Sequence, residues 1–419
     1  MKGKVFITSV FLAMIVFISA CGGGGDDDSS DVTHCPPTIT AGSDKDVEEN
    51  KIVILSAGNV SWCGSANFLW KQTDGTAVVL NNPTSMSSAG FTAPKVSIGK
   101  LSETLTFRFS LTDSNGQSAA AVVKVNVYRT GFLIQNVELS KFYDKIPNTA
   151  LCDEGFIKVS EKQKVLDKIN AIRSLHKLPA VDYDSGNDTN TAKAALMIAA
   201  NNETNHQPGA GAYCATDAGR YALSKSNLYI HAYQSAADLQ DSLMPLIFFL
   251  KDENSENSGQ RRALLDPFLK SVSFGRVDGK TRVENYWNAT GIALMLQSNP
   301  TADMSGIGIG FIAYPFEDYP KEYFAAGRDY FSFSVLTDYK SSANNKAVDF
   351  SGASVRVSDD AGNAVLVHGV SFDNLFYGLP NLLKWKAETI VENVFYTVSI
   401  QNVIIKNESR NFEYRFRLK

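Results

Sequence analysis

The chain has 419 residues, with 40 Lys and Arg against 44 Asp and Glu, for a formal charge of -4. Apolar residues make up 44% and charged residues 20%, a globular balance that excludes a disordered chain and a membrane helix bundle. No basic run follows the first few residues, so nucleic acid is not an expected partner, because phosphate binding needs a positive surface.

The N-terminus reads "MKGKVFITSVFLAMIVFISA". Lys2 and Lys4 precede an apolar stretch from Val5 to Ile18, too short for a comfortable membrane span. The small residues before Cys21 resemble a bacterial lipobox, which implies a signal peptide over 1–20 and acylation of Cys21. The following "CGGGGDDDSSD" suits a flexible tether over 21–35, with Asp26, Asp27 and Asp28 as solvated spacer. The expectation is a lipoprotein of the bacterial cell envelope, facing the periplasm or the exterior, whose membrane partner is reached through acyl chains. Export makes disulfides the default for Cys35, Cys63, Cys152 and Cys214. Four cysteines allow three pairings. The parsimonious one joins Cys35 to Cys63 and Cys152 to Cys214, and no spacing suggests a zinc or redox motif.

Residues 36–130 read as β. "NFLWKQTDGTAVVL" offers Asp74-Gly75 as a hairpin turn between two runs. In "LTFRFSLTDSNGQSAAAVVKVNVY", Leu105, Phe107, Phe109 and Leu111 alternate with Thr106, Arg108 and Ser110, and Asn115-Gly116 is the turn. Two such strands need a facing sheet, so a β-sandwich with Trp70 in its core is predicted. These stretches resemble the PKD or REJ-type Ig-like modules of bacterial surface proteins. The resemblance implies a spacer or adhesive module.

From about Ser160 the period becomes helical. Val165, Leu166, Ile169, Ile172 and Leu175 form one stripe, with a Ser160–Gln163 capping box and a stop at Pro179. "TNTAKAALMIAANNETNHQPG" predicts a second helix that breaks at Asn205-His206-Gln207-Pro208. "SAADLQDSLMPLIFFL" predicts a third, kinked or broken at Pro245, and "GQRRALLD" a short fourth. Strands "RVENYWNATGIALML", "GIGIGFIAYPF" and "YFSFSVLTD" follow, and helices around a small antiparallel sheet make an α+β αβα sandwich. Over 345–419, "ASVRVSDDAGNAVLV", "VFYTVSIQNVIIK" and "NFEYRFRLK" predict a second, smaller β-sandwich with a hairpin turn at Ala361-Gly362-Asn363.

Four stretches in order, "VLDKINAIRSLHKLPAVDYD", "AALMIAANNETNHQP", "YALSKSNL" and "SGQRRALLDPFLKSVSFG", resemble the CAP superfamily of SCP-like and PR-1-like domains. The resemblance implies a CAP-like domain over 150–342, with "GIGIGFIAYPF" and "FSFSV" in its central sheet. It also implies a cleft of two histidines and two acidic residues. His206 matches the first histidine; Gln260 stands where the second precedes an Arg; Ser226-Asn227 stands where Glu-Asn is usual. Zinc needs three or four ligands, and a neutral amide is a poor one, so no metal and no cofactor is expected. No Ser or Cys sits in a nucleophile motif.

The ligand-cleft candidates are His206, Glu203, Asn227, Gln260 and Arg261, a set dominated by amide donors and acceptors suited to sugars or peptides. The plain reading makes Asn227 a partner of buried backbone and His206 a helix cap. Arg173 and Arg262 are expected to brace the fold. His176, His231 and His368 read as packing or surface groups. The aromatic run "YPFEDYPKEYFAAGRDYF" reads first as buried packing and second as a sugar-stacking surface. The leading expectation is a degenerate CAP-like domain in an envelope lipoprotein, binding a glycan, peptide or lipid, or scaffolding, without catalysis. Its alternatives are a hydrolase of cell-wall or peptide substrates working through His206 and Glu203, and a glycan-binding adhesin working through the β-modules.

Overall fold

The computed structural model describes residues 36–97, 100, 102–130, 137–235, 238–253, 255, 257–282, 288–375 and 377–419. The expected leader, tether, Cys21 acylation and Cys35–Cys63 pairing fall on residues outside that set. The chain divides into two compact units, one closing at Val127 and one carrying Tyr128–Lys419.

The first unit is a β-sandwich. Its larger sheet orders Lys45–Glu48, Ser118–Tyr128, Ser102–Asp113 and Ala66–Asp74. Leu105, Phe107, Phe109 and Leu111 are fully buried, as their alternation requires. They face a second sheet, Ile52–Leu55 paired with Ala89–Thr92, and Phe91 meets Phe107 at 4.7 Å between ring centroids. Trp70 lies against Phe109 in this core, and its indole N–H donates to the Ser85 carbonyl at 3.0 Å. Asn115-Gly116 forms the expected turn, with Gly116 at φ +77°. Asp74-Gly75 turns the chain but makes no hairpin, because Ala66–Asp74 takes Ser102–Asp113 as its partner. The Gln72 side chain accounts for this. It donates to the Asp74 and Thr76 carbonyls and accepts from the Val78 N–H, which holds the following segment against its own strand.

The second unit begins with three layers. Helices α1 (Val159–Leu175), α2 (Asp188–Asn201), α3 (Asp217–Leu223), α4 (Met244–Lys251) and α5 (Gly259–Leu264) surround one four-stranded sheet. That sheet orders Asp182–Tyr183, Leu269–Lys280, Asn288–Ser298 and Ser226–Tyr233. Val272, Phe274, Ile292 and Leu294 face α1 and α4 through Val165, Ile169, Leu246 and Phe249. Ala293 and Met295 face α2 and α3 through Met197, Ile198 and Ala222. Helix α2 lies so close that a Cβ at Gly275 would sit 2.1 Å from the Thr191 carbonyl oxygen, and one at Gly291 2.4 Å from that of Ala195. Only glycine permits that approach.

The helix ends differ from the sequence expectation. Ser160 and Gln163 form no capping box; Lys158 occupies the cap, and Gln163 donates to Asp167 inside the helix. Helix α2 stops at Asn201, short of the expected break, because Asn202 turns left-handed at φ 52° and the Asn201 amide ties Met197 to Tyr213. Pro245 opens α4 rather than kinking a longer helix, as its missing N–H and fixed φ favour.

The strands Phe311–Tyr314 and Phe331–Val335 do not join the central sheet. They pair with Leu382–Ala387 and Val367–Asp373 in one sheet of the C-terminal sandwich. Its other sheet runs Glu317–Tyr319, Glu408–Leu418, Tyr396–Ile405, Ser354–Asp359 and Ala364–Val365, with the expected turn at Gly362. A boundary near 342–345 therefore crosses hydrogen-bonded sheets. Apolar contact explains the placement: Phe311, Phe331 and Phe333 pack on Phe412, Phe416 and Tyr414, and one continuous core runs from α1 to the last strand.

Candidate functional site

A cleft of about 1060 Å³ opens beside the edge strand Ser226–Tyr233, between the loop that carries His206, the N-terminus of α5, and Tyr377-Gly378 of the C-terminal region. His206, Asn227 and Gln260 line it together. Each is also tied inward. His206 Nδ1 lies 2.9 Å from the carbonyl oxygen of Leu223, the last residue of α3. Asn227 Nδ2 donates to the Gln260 backbone carbonyl at 3.0 Å, and Gln260 Nε2 to that of Leu228 at 3.4 Å. The bonds clamp the strand, the helix start and the histidine loop into one wall.

Two expected cleft residues lie elsewhere. Glu203 is exposed on the loop after α2 and accepts from the Asn205 amide; it does not line the cleft. The early end of α2 breaks the one-turn spacing that would have aligned it with His206. Arg261 is buried. It donates to the carbonyls of Leu250, Lys251 and Tyr330 and stacks over Tyr314 at 4.0 Å, so it joins the cleft's floor to the C-terminal region instead of facing a ligand.

The neighbouring cations behave as braces. Arg173 donates to the Pro179, Leu264 and Asp266 carbonyls, and Arg262 to Asp373 and the Leu375 and Leu379 carbonyls. His176 is buried between the Ala313 carbonyl and the Tyr319 hydroxyl. His231 bonds the Asp238 carbonyl, and His368 stands 3.6 Å from Glu388. In the aromatic run, Tyr314, Tyr319, Tyr323 and Phe324 are buried packing.

Sequence reasoning missed the rest of the lining. Asp252 accepts from the Gln260 and Arg261 N–H groups and so caps α5. Burial pushes its carboxyl up, opposed by the charge of Arg261. Asp266 accepts from the Ser298 hydroxyl and the Phe268 N–H, and burial raises it too. Tyr229, Phe248 and Tyr377 add rings; Phe248 is 46% and Tyr377 45% exposed. Phe248 looked like one more apolar residue of a helix, and Tyr377 lies over a hundred positions from its cleft neighbours. The one usable signal was Asp252, eight residues before the amide it caps.

Cys152 and Cys214 are joined, as expected, and the bridge fixes the loop after α2 beside Thr149–Leu151. Among the described residues, no three His, Cys, Asp or Glu side chains gather closely enough to hold a metal ion. The lining offers amides, hydroxyls, carboxyls and rings: a surface able to recognise a polar ligand with apolar faces.

The first unit is an Ig-like sandwich, and the family comparison specifies its kind. Residues 41–127 match a PKD domain family, so this region is a PKD domain within a multidomain, mostly β chain. No curated protein matches the chain. Among solved structures, the PKD domain from KIAA 1837 protein is 23% identical over 26% of this chain and 96% of its own, with a TM-score of 0.19. The 2,6-sialyltransferase of Vibrionaceae Photobacterium sp. JT-ISH-224 is 18% identical over 34% of this chain and 24% of its own, at 0.19. SGBP-B of the Bacteroides ovatus mixed-linkage glucan utilization locus is 8% identical over 94% and 71%, at 0.18.

Proposed function

We propose that the chain is an envelope lipoprotein in which the PKD domain serves as a spacer and the layers from α1 to Ser298 are a CAP-like domain whose cleft binds a ligand without turning it over. The observation that carries this reading is the cleft itself. It gathers the three places the CAP resemblance singles out: His206, Ser226-Asn227 and Gln260. Two of the four usual acid–base or metal-binding groups are replaced there by a hydroxyl and amides. Support against turnover comes from the bonds already made. The His206 ring is held by a backbone carbonyl, and no lining Ser is hydrogen-bonded to a histidine among the described residues. General acid–base work needs a positioned proton carrier within reach of the reacting atom. The PKD domain is compatible with scaffolding or adhesion at a surface.

The test is hydrolysis. The full chain, incubated with peptidoglycan fragments and with short peptides, is expected to leave both intact, with or without added zinc. Turnover abolished by Glu203→Ala or His206→Ala would overturn the proposal in favour of a hydrolase.

A further inference from the structure

We infer that the cleft takes a neutral oligosaccharide, and that the C-terminal sandwich completes the site by contributing Tyr377. The inference rests on the cleft being a ligand site and names what the site selects. The hydrogen-bond valences point the same way at three positions. Asn227 and Gln260 spend amide N–H groups on backbone carbonyls, which leaves Asn227 Oδ1 and Gln260 Oε1 as their ligand-facing capacity. His206 Nδ1 can meet the Leu223 carbonyl only as a donor, so neutral His206 presents a lone pair at Nε2. Three acceptors in one cleft call for a ligand rich in donors, either hydroxyls or cationic N–H groups.

Charge decides between these. The carboxyls of Asp252 and Asp266 face the cleft, but each is opposed from behind by a buried guanidinium, Arg261 for the first and Arg173 for the second. Glu253 has Arg328 at 3.6 Å. Lys225 adds a positive charge to the same lining. A wall whose negative groups are matched in this way gives a cation little advantage. Hydroxyls, which need acceptors but no countercharge, fit it better.

The rings supply the other half of sugar recognition. Tyr229 and Phe248 meet edge to face at 5.2 Å, and the Tyr229 hydroxyl is fixed by Gln240 at 2.6 Å. Phe248 and Tyr377 keep nearly half their surface open. A pyranose has apolar C–H faces for such rings and hydroxyl edges for the acceptors between them, the amphipathic match that rigid aromatic side chains provide. The volume, about 1060 Å³, exceeds the roughly 300–1,000 Å³ of sites for single small molecules, which favours an oligomer. Tyr377 is held in place by its surroundings: Arg262 reaches the neighbouring Leu375 and Leu379 carbonyls, and a Cβ at Gly378 would lie 2.2 Å from the Arg262 carbonyl oxygen.

The test is calorimetric titration of the full chain with cellotetraose, maltotetraose, chitotetraose and tetralysine. At least one tetrasaccharide is expected to bind, with an affinity unchanged by roughly 0.5 M salt, which screens charges beyond a few ångströms. Tyr377→Ala and Phe248→Ala should each weaken it by about tenfold, while Tyr377→Phe retains it. Both rings are half exposed, so the variants should keep the wild-type circular dichroism. Salt-sensitive binding of tetralysine alone would overturn the glycan assignment and leave the cleft a ligand site. Sugar binding indifferent to both ring substitutions would move the glycan elsewhere and overturn it as well. Binding of none of the four would overturn both the assignment and the ligand-site reading.

Discussion

The PKD domain and the unit that follows it bury their strands in opposite ways. Ser102–Asp113 hides every second side chain, so its alternation in sequence is its burial in space. Leu269–Lys280 also alternates in part, with Ser271 and Ser273 between Val272 and Phe274, yet nearly all of it is buried. Helix α2 covers the face that looked solvated, and the polar groups there are satisfied internally. Arg276 pairs with Asp278, which accepts from Thr290 and Tyr143, and Ser273 reaches the Asp184 carbonyl. A period of two reports which side chains share a face; it does not report whether that face meets water or a helix.

The same contrast explains what could be read from the sequence. The PKD strands and the Asn115-Gly116 and Gly362 turns are local patterns, and they were legible. So were the apolar stripe of α1 and the Cys152–Cys214 bridge. The strands Phe311–Tyr314 and Phe331–Val335 were legible as strands but not as members of a sheet, because partner choice depends on pairing with residues up to Ala387. In the cleft, His206, Asn227 and Gln260 stood out because a family motif marked them. Glu203 was misplaced by an Asn201 side-chain bond that ends a helix early. Tyr377 carried no local signal at all.

Three perturbations sharpen or break the comparison. The largest effect is expected from Trp385→Ala. Trp385 is fully buried and stacks on Phe331 within the core that α1 shares with the sandwich. The loss should be about 3–5 kcal/mol. Helical and β signals of the second unit should fall together on heating while the PKD transition stays put. Helices that melt separately from the sandwich would break the claim of a common core.

Acid provides the next test. Burial lowers His176 from 6.5 to about 4, against a smaller opposing effect of the Ala313 carbonyl. The unfolded chain therefore takes up this proton first as pH falls. The associated stability is whole above pH 6.5 and drains away down to about pH 4, and the gap is worth about 3 kcal/mol. Residues 41–127 contain no histidine. Denaturant midpoints measured across that window should fall for the second unit with a histidine-dependent slope that the PKD domain lacks. A slope unchanged in His176→Gln would contradict the assignment.

The smallest effect separates satisfied from unsatisfied polar groups. The Tyr414 hydroxyl is buried with no hydrogen-bond partner, whereas that of Tyr143 donates to Asp278 at 2.6 Å. Tyr414→Phe should leave stability within about 1 kcal/mol or raise it, and Tyr143→Phe should lower it by about 1–3 kcal/mol. Equal losses in thermal denaturation would show that Tyr414 has a partner in solution.

The central claim is that His206, Asn227 and Gln260 form a wall that grips a ligand and lacks the ligand set to hold a reactive cation. Isothermal titration of the full chain with zinc tests it most directly. The account predicts no stoichiometric uptake and identical traces for the wild type and His206→Ala. One tightly held zinc per chain, lost in His206→Ala, would contradict it.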